Sequence, residues 1–180
     1  MCSRFLLSCV AAFLLISTAS AQTDAPSSPA ANPVDVASID GIITALYDVI
    51  SGEAGEPRDW DRMRSLFLPE AHLMPTQMRP DSSYLYRMMT VDQYIETSGP
   101  WLIDNGFFEG EVARRTERFE NIAHVWTTYD SRRTQDGPVF MRGINSIQLF
   151  HDGSRWWIAT VMWTPETPTS PLPTAYLGDG

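Results

Sequence analysis

The sequence predicts an α+β fold in which helices come first and an antiparallel sheet follows. Three observations carry this. Val36, Ile39, Ile43, Leu46 and Ile50 recur at three- and four-residue steps, which lays one apolar stripe along a helix. From Glu109 onward every stretch is strand-like and the connections are short, the pattern of a meander. The third is Gly143 to Trp163, GINSIQLFHDGSRWWIATVMW, where two apolar-rich runs flank Asp152-Gly153. Asp-Gly tolerates positive φ, so the chain reverses there without strain.

For the first helix, Asn32 serves as cap, Pro33 suits the first helical position and Asp35 complements the positive helix end. Gly52 to Pro57 ends it. A short second helix is expected from Asp59, with Trp60, Met63 and Phe67 on one side and a stop before Pro69. Ala71 to Gln77 and Tyr84 to Met88 read as short strands around Pro80-Asp81. Thr90 and Gln93 have the spacing of a capping box and open a third helix. Gly99-Pro100 is expected to interrupt or end it, because proline cannot donate to the helical ladder. Four strands then follow, Glu109 to Phe119, Ala123 to Ser131, Val139 to His151 and Arg155 to Thr164.

The last hairpin permits a finer expectation. A three-residue loop, Asp152 to Ser154, sets Gly143, Asn145, Ile147 and Leu149 on one face with Trp157, Ala159, Val161 and Trp163. That face is almost wholly apolar, so the helices should cover it. A one-residue slip would turn every side chain to the wrong side. The opposite face would then hold Phe150, Trp156, Ile158 and Met162, alternating with Ser146, Gln148 and Thr160.

The start of the chain reads as an export signal over residues 1–21. Arg4 supplies the positive region, Phe5 to Ile16 the apolar region and Ala19-Ser20-Ala21 the small-residue cleavage site. The apolar run falls well short of the roughly 20 residues of a membrane span. The mature protein is therefore expected to be periplasmic or secreted, with no membrane attachment. Residues 22–33, rich in Ala, Pro and Ser, read as a flexible linker. The folded domain is placed at 34–166, and the Pro-rich tail, 167–180, is expected to be extended or disordered.

Cys2 and Cys9 both lie in the leader, so neither a disulfide nor a thiolate metal site is expected in the mature chain. Beyond the leader stand 12 Arg and no Lys against 22 acidic residues. A net acidic chain whose basic clusters are Arg114-Arg115 and Arg132-Arg133 is a poor nucleic-acid binder, because phosphate neutralisation supplies that affinity. The three histidines, His72, His124 and His151, fall on separate elements, and no two-His helical spacing or acidic loop pattern occurs. No metal or cofactor is expected. A serine-nucleophile elbow and a phosphate loop are also absent.

The pieces DWDRMRSLFLPEAHL, ARRTERFENIAHVWTTYDSRR and RGINSIQLFHDGSRWWI, in this order of elements, resemble the nuclear transport factor 2-like superfamily, which includes SnoaL-like cyclases, ketosteroid isomerases and scytalone dehydratases. Together they cover most of Val34 to Thr164, and the last two resemble a bacterial branch with no reaction tied to it. The resemblance implies a cone-shaped, cystatin-like α+β barrel whose curved sheet wraps helices around a pocket. It also implies homodimers through the outer sheet face. It does not imply chemistry, since fold and function separate widely in this superfamily.

Asn145 is the sharpest individual residue, a lone strong polar group on the apolar face, opposite Val161 and near Trp163 in the expected register. A buried amide without a partner costs about 1–3 kcal/mol. Asn145 therefore either bonds a ligand or is satisfied by backbone or charged side chains. Ketosteroid isomerases place a tyrosine where Tyr47 stands, to donate to a developing oxyanion; the alternative is an amphipathic core tyrosine. Their aspartate base has no counterpart here, where Leu73, Met74 and Pro75 occupy the matching positions. His72 is a candidate base of the scytalone-dehydratase kind, because imidazole titrates near neutral pH, although alternation sets it opposite Leu73. Glu117 and His124 should pair across the Glu120-Asn121 turn, as an acid–imidazole dyad or as ordinary sheet stabilisation. Trp60 and Trp163 are candidate pocket walls.

Three readings follow. The first is an exported domain that binds a small apolar or amphipathic molecule through Asn145, Trp163, Trp60 and Tyr47, with no assignable reaction. The second is a lyase or isomerase using Tyr47, His72 or Glu117 with His124. The third is a homodimeric interaction module working through the outer sheet face.

Overall fold

The computed structural model describes residues 28–178; the expected leader and residues 22–27 of the linker lie outside them. The helices are α1 (Pro33–Val36), α2 (Ile39–Ile50), α3 (Trp60–Leu66) and α4 (Val91–Asn105). The strands are β1 (Phe67–Met78), β2 (Tyr84–Tyr86), β3 (Phe108–Phe119), β4 (Ile122–Arg132), β5 (Met141–His151) and β6 (Trp156–Pro165). They form a six-stranded open sheet in the order β2-β1-β6-β5-β4-β3. The meander β3 to β6 is antiparallel, while β1 joins β6 in parallel. Helix α2 touches both β3 and β6, three places apart in the sheet, so the sheet curls around it. Ile42, Ile43, Leu46 and Val49 of α2 meet Val125, Ile147 and Val161 on the concave face in one core.

Several elements differ from the sequence expectation, each for a local reason. The first helix is two helices. Ser38 adopts an extended backbone, and its hydroxyl accepts from Gly41 N at 2.9 Å, which caps a new helix and stops the old one. The second helix ends at Leu66, and Phe67 already belongs to β1, which runs through Pro69 with a register shift beside it. Helix α4 does not stop at Gly99-Pro100 but continues to Asn105. Pro100 and Glu96, whose carbonyl loses its helical partner there, both face solvent, where water can take up the bond. The capping box at Thr90 and Gln93 is present, with bonds of 3.2 and 3.0 Å.

The terminal hairpin corrects the expected register. Its loop has four residues, Asp152 to Arg155, because the Asp152 carboxylate accepts from Ser154 N at 2.7 Å and Arg155 N at 2.9 Å. The Trp157 indole also donates to it at 2.7 Å, and these donors hold the Asp152 carboxyl well below its usual range. A bulge at Ala159 then restores the phase, so Val161 and Trp163 face inward as expected. Trp157 and Ala159 do not share that face. Trp156 and Ile158 are buried in the core instead, which removes them from the outer face assigned to them. Asn145 lies opposite Trp163, not Val161.

The tail is not loose. From Glu166 it crosses the outer face of the sheet and ends in a short 3-10 turn, Thr174–Tyr176. Thr128 Oγ1 donates to Tyr176 O at 2.5 Å, the Tyr176 ring lies 6.2 Å from Trp126, and Arg115 stacks 4.9 Å above it. Part of the surface expected to hold a second subunit is therefore covered by the chain's own end.

On the inner face, Tyr129 extends its ring across Gly143. A β-carbon at Gly143 would overlap that ring and the Thr164 carbonyl. Gly143→Ala is expected to lower stability by about 1–3 kcal/mol, the usual cost of overpacking. Urea unfolding reads this, and an unchanged midpoint would refute it.

Candidate functional site

The concave sheet and its helices enclose an open cavity of about 190 Å³. Leu46 and Ile50 of α2, Met63 of α3 and Leu73 of β1 form its deep wall. Leu102 of α4 and Phe107 continue the buried lining, the partly exposed Trp101 of α4 reaches the surface, and Trp163 closes the side from β6. Tyr94 meets Trp163 edge to face at 6.2 Å, which fixes both rings. An apolar cavity of ~150 Å³ takes benzene, so this one has room for one or two rings.

The polar groups gather on one side. Glu109, third residue from the C-cap Gly106 of α4, is half-buried, open to the cavity but screened from bulk solvent. Burial pushes its carboxyl up to about 7, with Asp130 adding repulsion and the Ser131 and Asn145 side chains opposing. Ser131 Oγ donates to Glu109 Oε2 at 3.1 Å. The backbone is fixed too, since Glu109 N donates to Ser51 Oγ at 3.1 Å and Ser51 Oγ to Tyr47 O at 2.7 Å.

A second chain of bonds starts beside Glu109. Asn145 Nδ2 donates to Tyr47 Oη at 3.1 Å, and Tyr47 Oη lies 3.0 Å from Thr127 Oγ1. Thr127 Oγ1 donates to Glu111 Oε1 at 2.7 Å, and Arg114 pairs with the same oxygen at 3.2 Å. Burial raises the Tyr47 hydroxyl above its ordinary range, so it stays protonated. The site can therefore bind an apolar ring system, orient one polar group against Glu109 and exchange a proton with it near neutral pH.

The structure brings together Tyr47, Asn145 and Trp163, all in the cavity wall. Trp60 is not among the lining residues; its ring lies against Gly99 of α4, where an added β-carbon would come within 3.1 Å. His72 stands on the face opposite Leu73, level with Thr160, away from the cavity. Glu117 and His124 are cross-strand neighbours as expected, but on the outer face, where His124 Nε2 bonds Ser146 Oγ at 3.0 Å. Neither supplies chemistry to the cavity. Glu109, Glu111, Thr127 and Ser131 were missed by the sequence reading.

No family model matches the sequence, and no curated protein does. Solved structures do match the fold. A protein of unknown function with a cystatin-like fold from Nostoc punctiforme aligns over 75% of this chain and 92% of its own, with TM-score 0.55 and 9% identity. LinA aligns over 80% and 93%, with TM-score 0.54 and 8% identity. A protein of the NTF2-like family from Streptomyces avermitilis aligns over 74% and 96%, with TM-score 0.51 and 14% identity. The chain has the cone-shaped α+β fold of the nuclear transport factor 2-like superfamily, in agreement with the resemblance read from its sequence motifs.

Proposed function

We propose that this chain is an exported domain that binds a small apolar or amphipathic molecule in its conical cavity. One observation carries the reading: an apolar chamber of about 190 Å³ whose wall holds a carboxyl group, Glu109, beside the Asn145 amide. Structural carboxylates are kept in water or paired with cations, because burying an ionisable group in apolar surroundings is costly. A carboxyl turned into an apolar chamber fits a ligand's polar end. The expected result is a saturable rise in melting temperature with one- or two-ring compounds bearing one polar group. Val161→Phe, which fills the wall, should abolish that rise while the variant still melts cooperatively. A panel of such compounds without any stabiliser would overturn the reading.

A second reading, a lyase or isomerase, is favoured by the same Glu109, whose carboxyl near 7 suits a general acid or base at physiological pH. Release of water from a bound alcohol, or deuterium uptake next to a carbonyl, is its signature. The rate should break near the Glu109 pKa and vanish in Glu109→Gln; a rate that survives the substitution removes Glu109 from the role.

A further inference from the structure

We propose that Arg133 sets the ligand class of the cavity, by pairing with a carboxylate at the end of the ligand that leaves the chamber. The inference rests on the cavity being the binding site. It starts from Trp101, which is 43% exposed and is the lining residue most open to solvent. The Trp101 ring packs on that of Phe107, also in the lining, at 6.1 Å, and Phe107 meets the exposed Phe140 at 6.3 Å. The Arg133 guanidinium lies 4.3 Å from the ring centroid of Trp101 and 4.3 Å from that of Phe140. A cation is thereby held on aromatic side chains that run from the lining to the solvent.

Stacking holds a guanidinium by its flat faces and does not use the N–H groups that lie in its plane. The adjacent Arg132 spends its fork on Asp130, with bonds of 2.8 and 2.7 Å. The Arg133 guanidinium has neither an ion pair nor a hydrogen bond among the described residues. Two rings thus hold it in place before any ligand arrives, while its donors stay unspent. A planar fork in that state matches a carboxylate through two parallel bonds. The chamber offers an anion nothing comparable. Its lining contains no Arg or Lys, and Glu109 would set a second carboxylate beside the first, an arrangement in which both cannot ionise freely. The rings of the ligand therefore go inward and its charge outward, along Trp101 to Arg133.

The test compares naphthalene-2-carboxylate with its neutral amide, by calorimetry at neutral pH, where the acid is ionised. The carboxylate is expected to bind about fivefold tighter, the size of a partly exposed ion pair. Arg133→Gln removes the charge but keeps a planar group on the rings. It should cost the carboxylate that whole advantage and leave the amide's affinity unchanged. Salt gives a second reading on the wild-type protein, since at about 1 M the preference should vanish by screening. Val161→Phe should abolish binding of both compounds; a carboxylate that still binds this variant sits outside the chamber and overturns the proposal. Equal affinities in the wild type overturn it too. So does an equal loss for both compounds in Arg133→Gln, because Arg133 would then only pack its loop against α4. If the amide binds and the carboxylate gains nothing, the anionic end alone is wrong. If neither compound binds, the cavity-binding reading has failed and takes the ligand class with it.

Discussion

Glu109→Gln is expected to make the protein more stable than wild type at alkaline pH and to leave its stability nearly unchanged in acid. The free chain's glutamate titrates near 4.5, and burial pushes the folded carboxyl up to about 7. Between those values the folded state holds the proton that the unfolded state has released. Stability must then fall as pH rises, because the folded state binds more protons. The contribution of a protonated Glu109 is complete below about 4.5, declines through the interval and is gone above about 7. Each pKa unit corresponds to about 1.4 kcal/mol, so the full swing is on the order of 3 kcal/mol, and nearer 2 once water in the open cavity screens the charge. For a domain of this size that is roughly 5–10 °C in melting temperature. Glutamine keeps the acceptor for Ser131 and cannot ionise, so the other titrating groups cancel in the difference between the two proteins. Thermal melts of both across the pH range decide it. Parallel curves would mean that Glu109 is not desolvated as the fold places it.

Glu109 also shows where the sequence stopped being readable. The Glu117–His124 pairing was legible from the turn at Glu120-Asn121, and it is observed. Counting back from it along a regular ladder puts Arg114 on the inner face beside Thr127, and puts Glu109 and Glu111 on the outer one. A single bulge at Val112 reverses this, so that Glu111 faces Tyr129 and Glu109 faces Ser131 on the concave side. Nothing in GFFEGEVARR marks the extra residue, since glutamates and arginines alternate there without an apolar phase to reveal the slip. Asn145 and Trp163 could be located because β5 and β6 do carry an apolar phase, and a lone amide stands out against it. The Asp152 loop shows the opposite case. There the apolar phase was correct near Val161, but the side-chain capping that lengthened the loop moved Trp156 and Trp157 to exchanged faces. Periodicity therefore located the site's walls, and one unsignalled residue in β3 decided its chemistry.

Arg58 carries the second large effect, on the frame rather than the chamber. It stands in the loop after α2 and is 7% exposed. Its guanidinium donates to the carbonyls of Ile50 at 3.2 Å, Gly52 at 2.6 Å, Glu53 at 3.4 Å, Glu56 at 2.5 Å and Leu102 at 3.2 Å. One side chain thus closes the end of α2, the following loop and the last turn of α4, whose Trp101 and Leu102 wall the cavity. Burial lowers its pKa, with the Glu56 and Glu53 charges opposing, and the carbonyl dipoles help to retain the charge. Arg58→Ala leaves those carbonyls buried without donors, each costing about 1 kcal/mol or more. A loss of about 3–5 kcal/mol is expected, a large share of a domain's total. Arg58→Lys should recover little, because a compact ammonium has three donors and cannot replace the planar fork that bonds five carbonyls on three segments. Chemical denaturation of the two variants tests both statements. The Gly52–Phe107 bridge beside it adds a local readout, since its two backbone bonds, 2.8 and 3.1 Å, should exchange amide hydrogens far faster in either variant. A lysine variant as stable as wild type would show that charge alone, without the fork, holds α2 and α4 together.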